Sequence, residues 1–316
     1  MELHACFGFL KILRESSKMF FQNVKLMASI TILILLLNSL LLISNIFSIK
    51  EVVGDFATKA MFLQITTPGT SDYYKLIIAL KEDARFLARV EWIFFLAIYV
   101  TSLFSAATAI SASGATYRGK DMSIKDLLLG VVKSWKRPSI TFLYITLLQS
   151  GYLFFTWATL CIFMLMFVGE VFLPAISWII IILATVFLSY LAIVWTLAFV
   201  VSVMEERCGI DALGKAGELV KGLEMSGFFL NLVFGVVASV VYQGFRLINI
   251  NQSAVIRLLI VLLVSNSLCL LKVFELMAFT VLYYECKKNK GEETEIHGSL
   301  EYTKIPATAP INADMP

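Results

Sequence analysis

Met27 to Ile49 reads MASITILILLLNSLLLISNIFSI, twenty-three residues without a charge. About 20 apolar residues suffice to carry a helix across a hydrocarbon core of about 30 Å, so this stretch is long enough to span a bilayer. A water-soluble core has no use for such a run. Five further stretches of the same kind follow, at about 91–113, 139–168, 172–204, 226–248 and 255–284. The chain of 316 residues is 59% hydrophobic and 16% charged, with a mean hydropathy of +0.84, well outside the soluble average. The fold class expected is all-α: a polytopic membrane protein of six transmembrane helices, forming one domain over 1–290. The tail at 291–316, polar and with three prolines, is expected to be disordered and cytoplasmic.

The connections carry a second pattern. At the N-terminus Leu10, Leu13, Phe20, Phe21 and Val24 gather near one helical face, while Lys11, Arg14, Glu15, Lys18 and Lys25 cover the other. That is an interfacial amphipathic helix. A similar element precedes the third span, where Ser123 with Asp126 three residues on has capping-box character and Leu127, Leu128, Val131 and Val132 line one face. Another precedes the fifth span, where Ile210, Leu213, Val220 and Leu223 alternate with Asp211, Lys215 and Lys221. Amphipathic elbow helices are therefore expected before spans 1, 3 and 5, making three units of elbow plus hairpin.

Orientation follows from Lys and Arg. The segments on the N-terminal side of the membrane hold seventeen, whereas the opposite connections hold six, all within 50–90 and diluted by five acids. The positive-inside rule then puts both termini in the cytoplasm. Charged Lys11, Arg14, Lys18 and Lys25 precede a first span too long for a signal-peptide core, which reads as a retained anchor. Segment 50–90 is the one sizeable outer region. It turns at Thr66-Thr67-Pro68-Gly69-Thr70, with Ser71 or Asp72 able to cap a following helix.

Several stretches occur in an order that resembles a known family: ILRESSKMFFQN, ATAISASGATYRGKDMSIKDLLLGVVKSWKRP, VVSVMEERCGIDALGKAGELVKG and FTVLYYECK. Together they resemble a plant family of uncharacterised six-span membrane proteins, distantly similar to the membrane domain attached to bacterial glycerophosphodiester phosphodiesterases. The chain departs from that pattern at Ala216-Gly217, where relatives tend to carry serine and a larger residue. The resemblance implies the six-span fold, and the location expected for the chain is a eukaryotic endoplasmic reticulum, endomembrane or plasma membrane. It brings no catalytic residues.

Chemistry-bearing motifs are few. Gly209-Ile-Asp-Ala-Leu-Gly214-Lys215 matches the first seven positions of a P-loop, but Ala216 stands where Ser or Thr must ligand magnesium, and no strand precedes it. It is an elbow. The two histidines, His4 and His297, lie near opposite ends, so no histidine-based metal site is expected. No nucleophile motif is present, and neither a cofactor nor a direct nucleic-acid partner is expected. Asn251-Gln252-Ser253 is a glycosylation sequon close to the membrane. Glu205-Glu206-Arg207, at the inner end of the fourth span, is expected to be solvated.

One pair stands out. Lys272 and Glu275 share a helical face inside the sixth apolar run, which is uncharged only from Leu258 to Leu271 before them. Ionisable residues in a membrane cost about 2.5–3.5 kcal/mol each on insertion scales and mark candidate functional sites. A self-neutralising pair, or a Lys272 that snorkels to the interface, is the plainer alternative. Ser105, Ala109 and Ser113 form a small-residue stripe suited to close helix packing. Asn38, Asn45, Gln149, Gln243 and Asn266 are polar residues in or near spans, fit either for a cavity or for bonds between helices. The sequence thus admits two functions, both with the bilayer as partner. The leading one is a non-enzymatic scaffold or regulator of membrane processes that engages a cytoplasmic protein through its elbows. The other is a transporter or lipid-handling protein with a polar cavity near Lys272 and Glu275.

Overall fold

The computed structural model describes residues 2–120, 122–166, 173–249 and 252–291. Among these the structure is all helical. Six of the helices are long and apolar enough to cross a membrane: α2 (Val24–Ile65), α3 (Ser71–Tyr117), α5 (Lys136–Met166), α6 (Leu173–Met204), α8 (Glu224–Tyr242, continued by a 3-10 turn to Leu247) and α9 (Ala254–Asn289). The other three are the elbows: α1 (Glu2–Gln22), α4 (Ile124–Ser134) and α7 (Ile210–Leu219). The order is elbow then hairpin, three times over, and consecutive spans α2 and α3, α5 and α6, and α8 and α9 pack as pairs. Six crossings put all three elbows on one face of the bundle, here called the elbow side.

The elbows are built into the bundle. Ile12 and Met19 of α1, Leu127 and Val131 of α4, and Ala212, Ala216 and Leu219 of α7 are all buried in the main core. Helix α1 packs on α8 and α9, α4 on α3, and α7 on α6. Leu13, Phe20, Ile124 and Leu213 pack against the same core, while Leu10, Phe21, Leu129 and Val132 face outward, as suits a helix at a lipid interface. Small residues allow the close approach: Gly227 of α8 lies so near Ile193 of α6 that a Cβ there would sit 2.9 Å from its Cγ2. Ser123 occupies the cap position of α4, but its side chain makes no capping bond. The first turn of α4 is held instead by the backbone bond from Leu127 N–H to the Ser123 carbonyl, at 3.0 Å.

Packing is lopsided along the bundle axis. On the elbow side Ile110 to Thr116 of α3, with Ser111 half-buried, Leu197 to Ser202 of α6 and Leu276 to Tyr284 of α9 form a tight core. Toward the far side the spans separate, and α5 beyond Thr141 and most of α6 before Ser189 have their apolar side chains exposed to the surroundings. Helices α2 and α3 are 42 and 47 residues long, about 63 and 70 Å at 1.5 Å per residue, and exceed a bilayer by a wide margin. Segment 50–90 is therefore the projecting end of one helical hairpin, clamped by Lys59 on Asp83 at 2.6 Å. Thr70 caps α3, its hydroxyl accepting from Tyr73 N–H at 3.3 Å, one residue before the position the sequence suggests. The Gly169-Glu170 connection, Asn251 of the sequon, His297 and the tail after Gly291 lie outside the described residues.

Candidate functional site

Helix α9 is the hub, packed against α2, α3, α6 and α8, and it carries the ionisable pair. Arg257 and Lys287 stand thirty positions apart, about 45 Å of helix, which matches the roughly 40–45 Å of a bilayer with its headgroups. Lys272 falls midway. About 22 Å of helix separates it from either cationic end.

The pair is formed: Lys272 Nζ donates to Glu275 Oε1 at 2.9 Å. The two partners differ in environment, with the Lys272 side chain 57% exposed and that of Glu275 14%. Both line a partly open cavity of about 650 Å³, where the three hairpins separate above the elbow-side core. That volume falls within the range of about 300–1,000 Å³ usual for small-molecule sites. All six spans contribute lining residues. Apolar walls come from Ile34, Leu41, Ile98, Ile145, Leu188 and Leu276, with Phe142, Trp195 and Phe199 as the aromatic part. Polar groups come from Asn38, Thr101, Ser102, Ser105, Gln149, Thr185, Ser189, Thr196, Asn231 and Ser265.

Many of these polar groups are anchored in ways that fix what they present inward. Asn38 Nδ2 donates to Ser265 Oγ at 3.2 Å and to Asn266 Oδ1 at 3.1 Å, tying α2 to α9. Asn266 Nδ2 in turn donates to Ser39 Oγ at 2.8 Å. Asn231 Nδ2 donates to the Ser189 carbonyl at 3.1 Å, tying α8 to α6. The Thr185 and Ser189 hydroxyls donate to the carbonyls of Ile181 and Thr185, at 2.7 and 2.9 Å. Their oxygen lone pairs remain as acceptors. Asn45 lies outside the cavity near Glu91, at 3.5 Å, and Gln243 opens the 3-10 turn after α8.

The structure separates the small-residue stripe. Ala109 and Ser113 are buried against neighbours, and Ser113 Oγ donates back to the Ala109 carbonyl at 2.7 Å. Ser105, one turn further out, lines the cavity. Two residues not singled out from the sequence also belong here. Cys269, one turn before Lys272, lines the cavity as a partly exposed thiol, and Asn231 reaches it from α8. Neither has a sequence signal beyond being a polar group in an apolar run.

The elbow side holds a second polar layer, and it corrects one reading. Glu205 is not solvated: only 17% of its side chain is exposed, and it accepts from Tyr283 Oη at 2.7 Å and Lys287 Nζ at 3.2 Å. The reason is that α6 ends against α9, so the carboxylate of Glu205, the first residue past its end, meets α9 instead of water. Glu206, by contrast, is exposed and pairs with Arg137 at 3.2 Å. The P-loop-like stretch is an ordinary elbow start. Gly209 sits at φ +59° and donates its N–H to Thr141 Oγ1 at 2.9 Å. Among the described residues no three His, Cys, Asp or Glu side chains are grouped to hold a metal ion.

Six apolar spans in three elbowed hairpins, built around an intramembrane cavity, define a multi-pass α-helical membrane protein. The family model described as Domain of unknown function (DUF8558) matches residues 2–301, and the chain belongs to that family. No curated protein and no solved structure matches it.

Proposed function

We propose that this protein is a non-enzymatic lipid-handling or transport protein that binds an amphiphilic ligand in the cavity bearing Lys272 and Glu275. One observation carries the reading: an ion pair midway along the sixth span lines an open cavity. A purely structural pair would have its remaining bonds satisfied by neighbouring groups, because an ion pair in a dry interior is stabilised only under that condition. Here Lys272 stays more than half exposed instead. The scaffold alternative rests on the elbows, whose inner faces are already used to close the bundle. What they leave outward suits the lipid interface better than a protein partner. The positive-inside rule supports a cytoplasmic elbow side, and the cavity then opens toward the outer half of the membrane.

The test is to fill the cavity. Ser105→Phe adds a bulky ring to the wall contributed by α3. Native mass spectrometry of the detergent-purified protein is expected to show retained lipid or another amphiphile on the wild type, and at least a several-fold loss on Ser105→Phe at unchanged thermal stability. Equal retention by both, or none by the wild type, would remove the reading.

A further inference from the structure

We infer that the cavity takes the zwitterionic headgroup of a phospholipid, its phosphate on Lys272 and its ammonium on Glu275. This rests on the cavity being a ligand site, as proposed above. The argument is one of unfilled valence. An ammonium has three N–H donors, and Lys272 uses one of them on Glu275 Oε1. Glu275 Oε2 accepts no hydrogen bond among the described residues. The pair therefore offers a ligand two donors with positive charge and one carboxylate oxygen with negative charge, side by side.

A purely anionic headgroup fits this badly. Bound to Lys272 it would lie within a few ångströms of the Glu275 carboxylate, and the two like charges repel. A zwitterion meets both charges and leaves the cavity neutral. Elsewhere on the cavity wall the anchored hydroxyls of Thr185 and Ser189 and the side-chain amide oxygen of Asn231 add acceptors, which suit the N–H donors of a primary ammonium. The same phosphoethanolamine chemistry exists in a water-soluble form without acyl chains. The apolar walls, and the separation of α5 and α6 toward the far side, favour the lipid, whose chains would stay among the exposed residues Leu147 and Phe187.

The experiment reads the exposure of Cys269, which lines the cavity one turn from Lys272. The full chain in detergent is reacted with N-ethylmaleimide, and alkylation of Cys269 is quantified by peptide mass spectrometry. Three additives are compared: phosphatidylethanolamine, phosphatidylglycerol with the same acyl chains, and glycerophosphoethanolamine. Half-protection is expected at about tenfold lower phosphatidylethanolamine than phosphatidylglycerol. Glycerophosphoethanolamine should protect only at far higher concentration. In Glu275→Gln, which leaves Lys272 as an uncompensated cation, the preference should invert toward phosphatidylglycerol; in Lys272→Gln protection by both lipids should weaken. Equal protection by the two lipids in the wild type would overturn the headgroup assignment and leave the cavity reading standing. Equal protection by the soluble headgroup would overturn the lipid assignment. No protection by any of the three would overturn the cavity reading itself.

Discussion

The central residues are Lys272 and Glu275, and their energetics are set by what each loses without the other. Removing the lysine leaves a carboxylate that is 14% exposed with no cation beside it. Removing both charges leaves a neutral wall. Lys272→Met should therefore lower stability by roughly 1–3 kcal/mol, less than for a sealed pair because Lys272 is half in the open. The double variant Lys272→Met, Glu275→Gln should regain most of that loss, as measured by thermal unfolding in detergent. A double variant as unstable as the single one would show that the pair is not coupled as its 2.9 Å contact implies. The pair was legible in the sequence because two charges three residues apart interrupt an otherwise apolar run. Its cavity was not. Asn38, Gln149, Asn231 and Ser265 come from four helices, and no periodicity within one span says that they converge. Glu205 was misread for the same reason: the partners that keep it from water, Tyr283 and Lys287, lie some eighty positions away.

At the scale of elements, the molecule depends on hairpins locked tightly at the elbow side and loosely at the far side. Gly227 marks the tight end, where α8 meets the stiff, β-branched Ile193 of α6. Gly227→Val would push the two helices apart, and overpacking of this kind costs about 1–3 kcal/mol. A lower melting temperature is expected, with Gly235→Ala as a near-neutral control because nothing lies within 4 Å of its added Cβ. The elbows themselves were readable from their apolar faces, since a 3.6-residue pattern of that kind is local. Their burial was not readable, because an interfacial helix and a helix packed on its own bundle share one pattern. The continuity of α2 through Lys50, Glu51 and Asp55 was hidden as well. Charges end a membrane span without ending a helix, and the turn residues appear only at Thr66 to Thr70.

The whole molecule is a closed base of elbows and packed helix ends, from which the spans separate around a cavity. The long α2–α3 hairpin extends beyond the others. With the hydrocarbon core at Met27 to Ile49, the sixteen residues from Lys50 to Ile65 project roughly 24 Å past it. Cysteines placed at Pro68 and at Gly291 should react with a membrane-impermeant maleimide from opposite sides of sealed vesicles, Pro68 from the exterior face if the positive-inside orientation applies. Labelling of both from one side would contradict a six-span topology. The fold class was within reach of composition and run length alone, because the bilayer sets the length of each crossing. What the protein binds depends on the interior, which the sequence records only as scattered polar residues.

The most direct test of the central claim is photo-crosslinking with a phospholipid that carries a diazirine close to its headgroup, reconstituted with the full chain and mapped by peptide mass spectrometry. Adducts on the cavity wall, at Thr101, Ser105, Ser189 and Cys269, and their loss in Ser105→Phe, are the result this account predicts. Adducts confined to the outer surface, on residues such as Leu147, Val186 and Phe187, would contradict it.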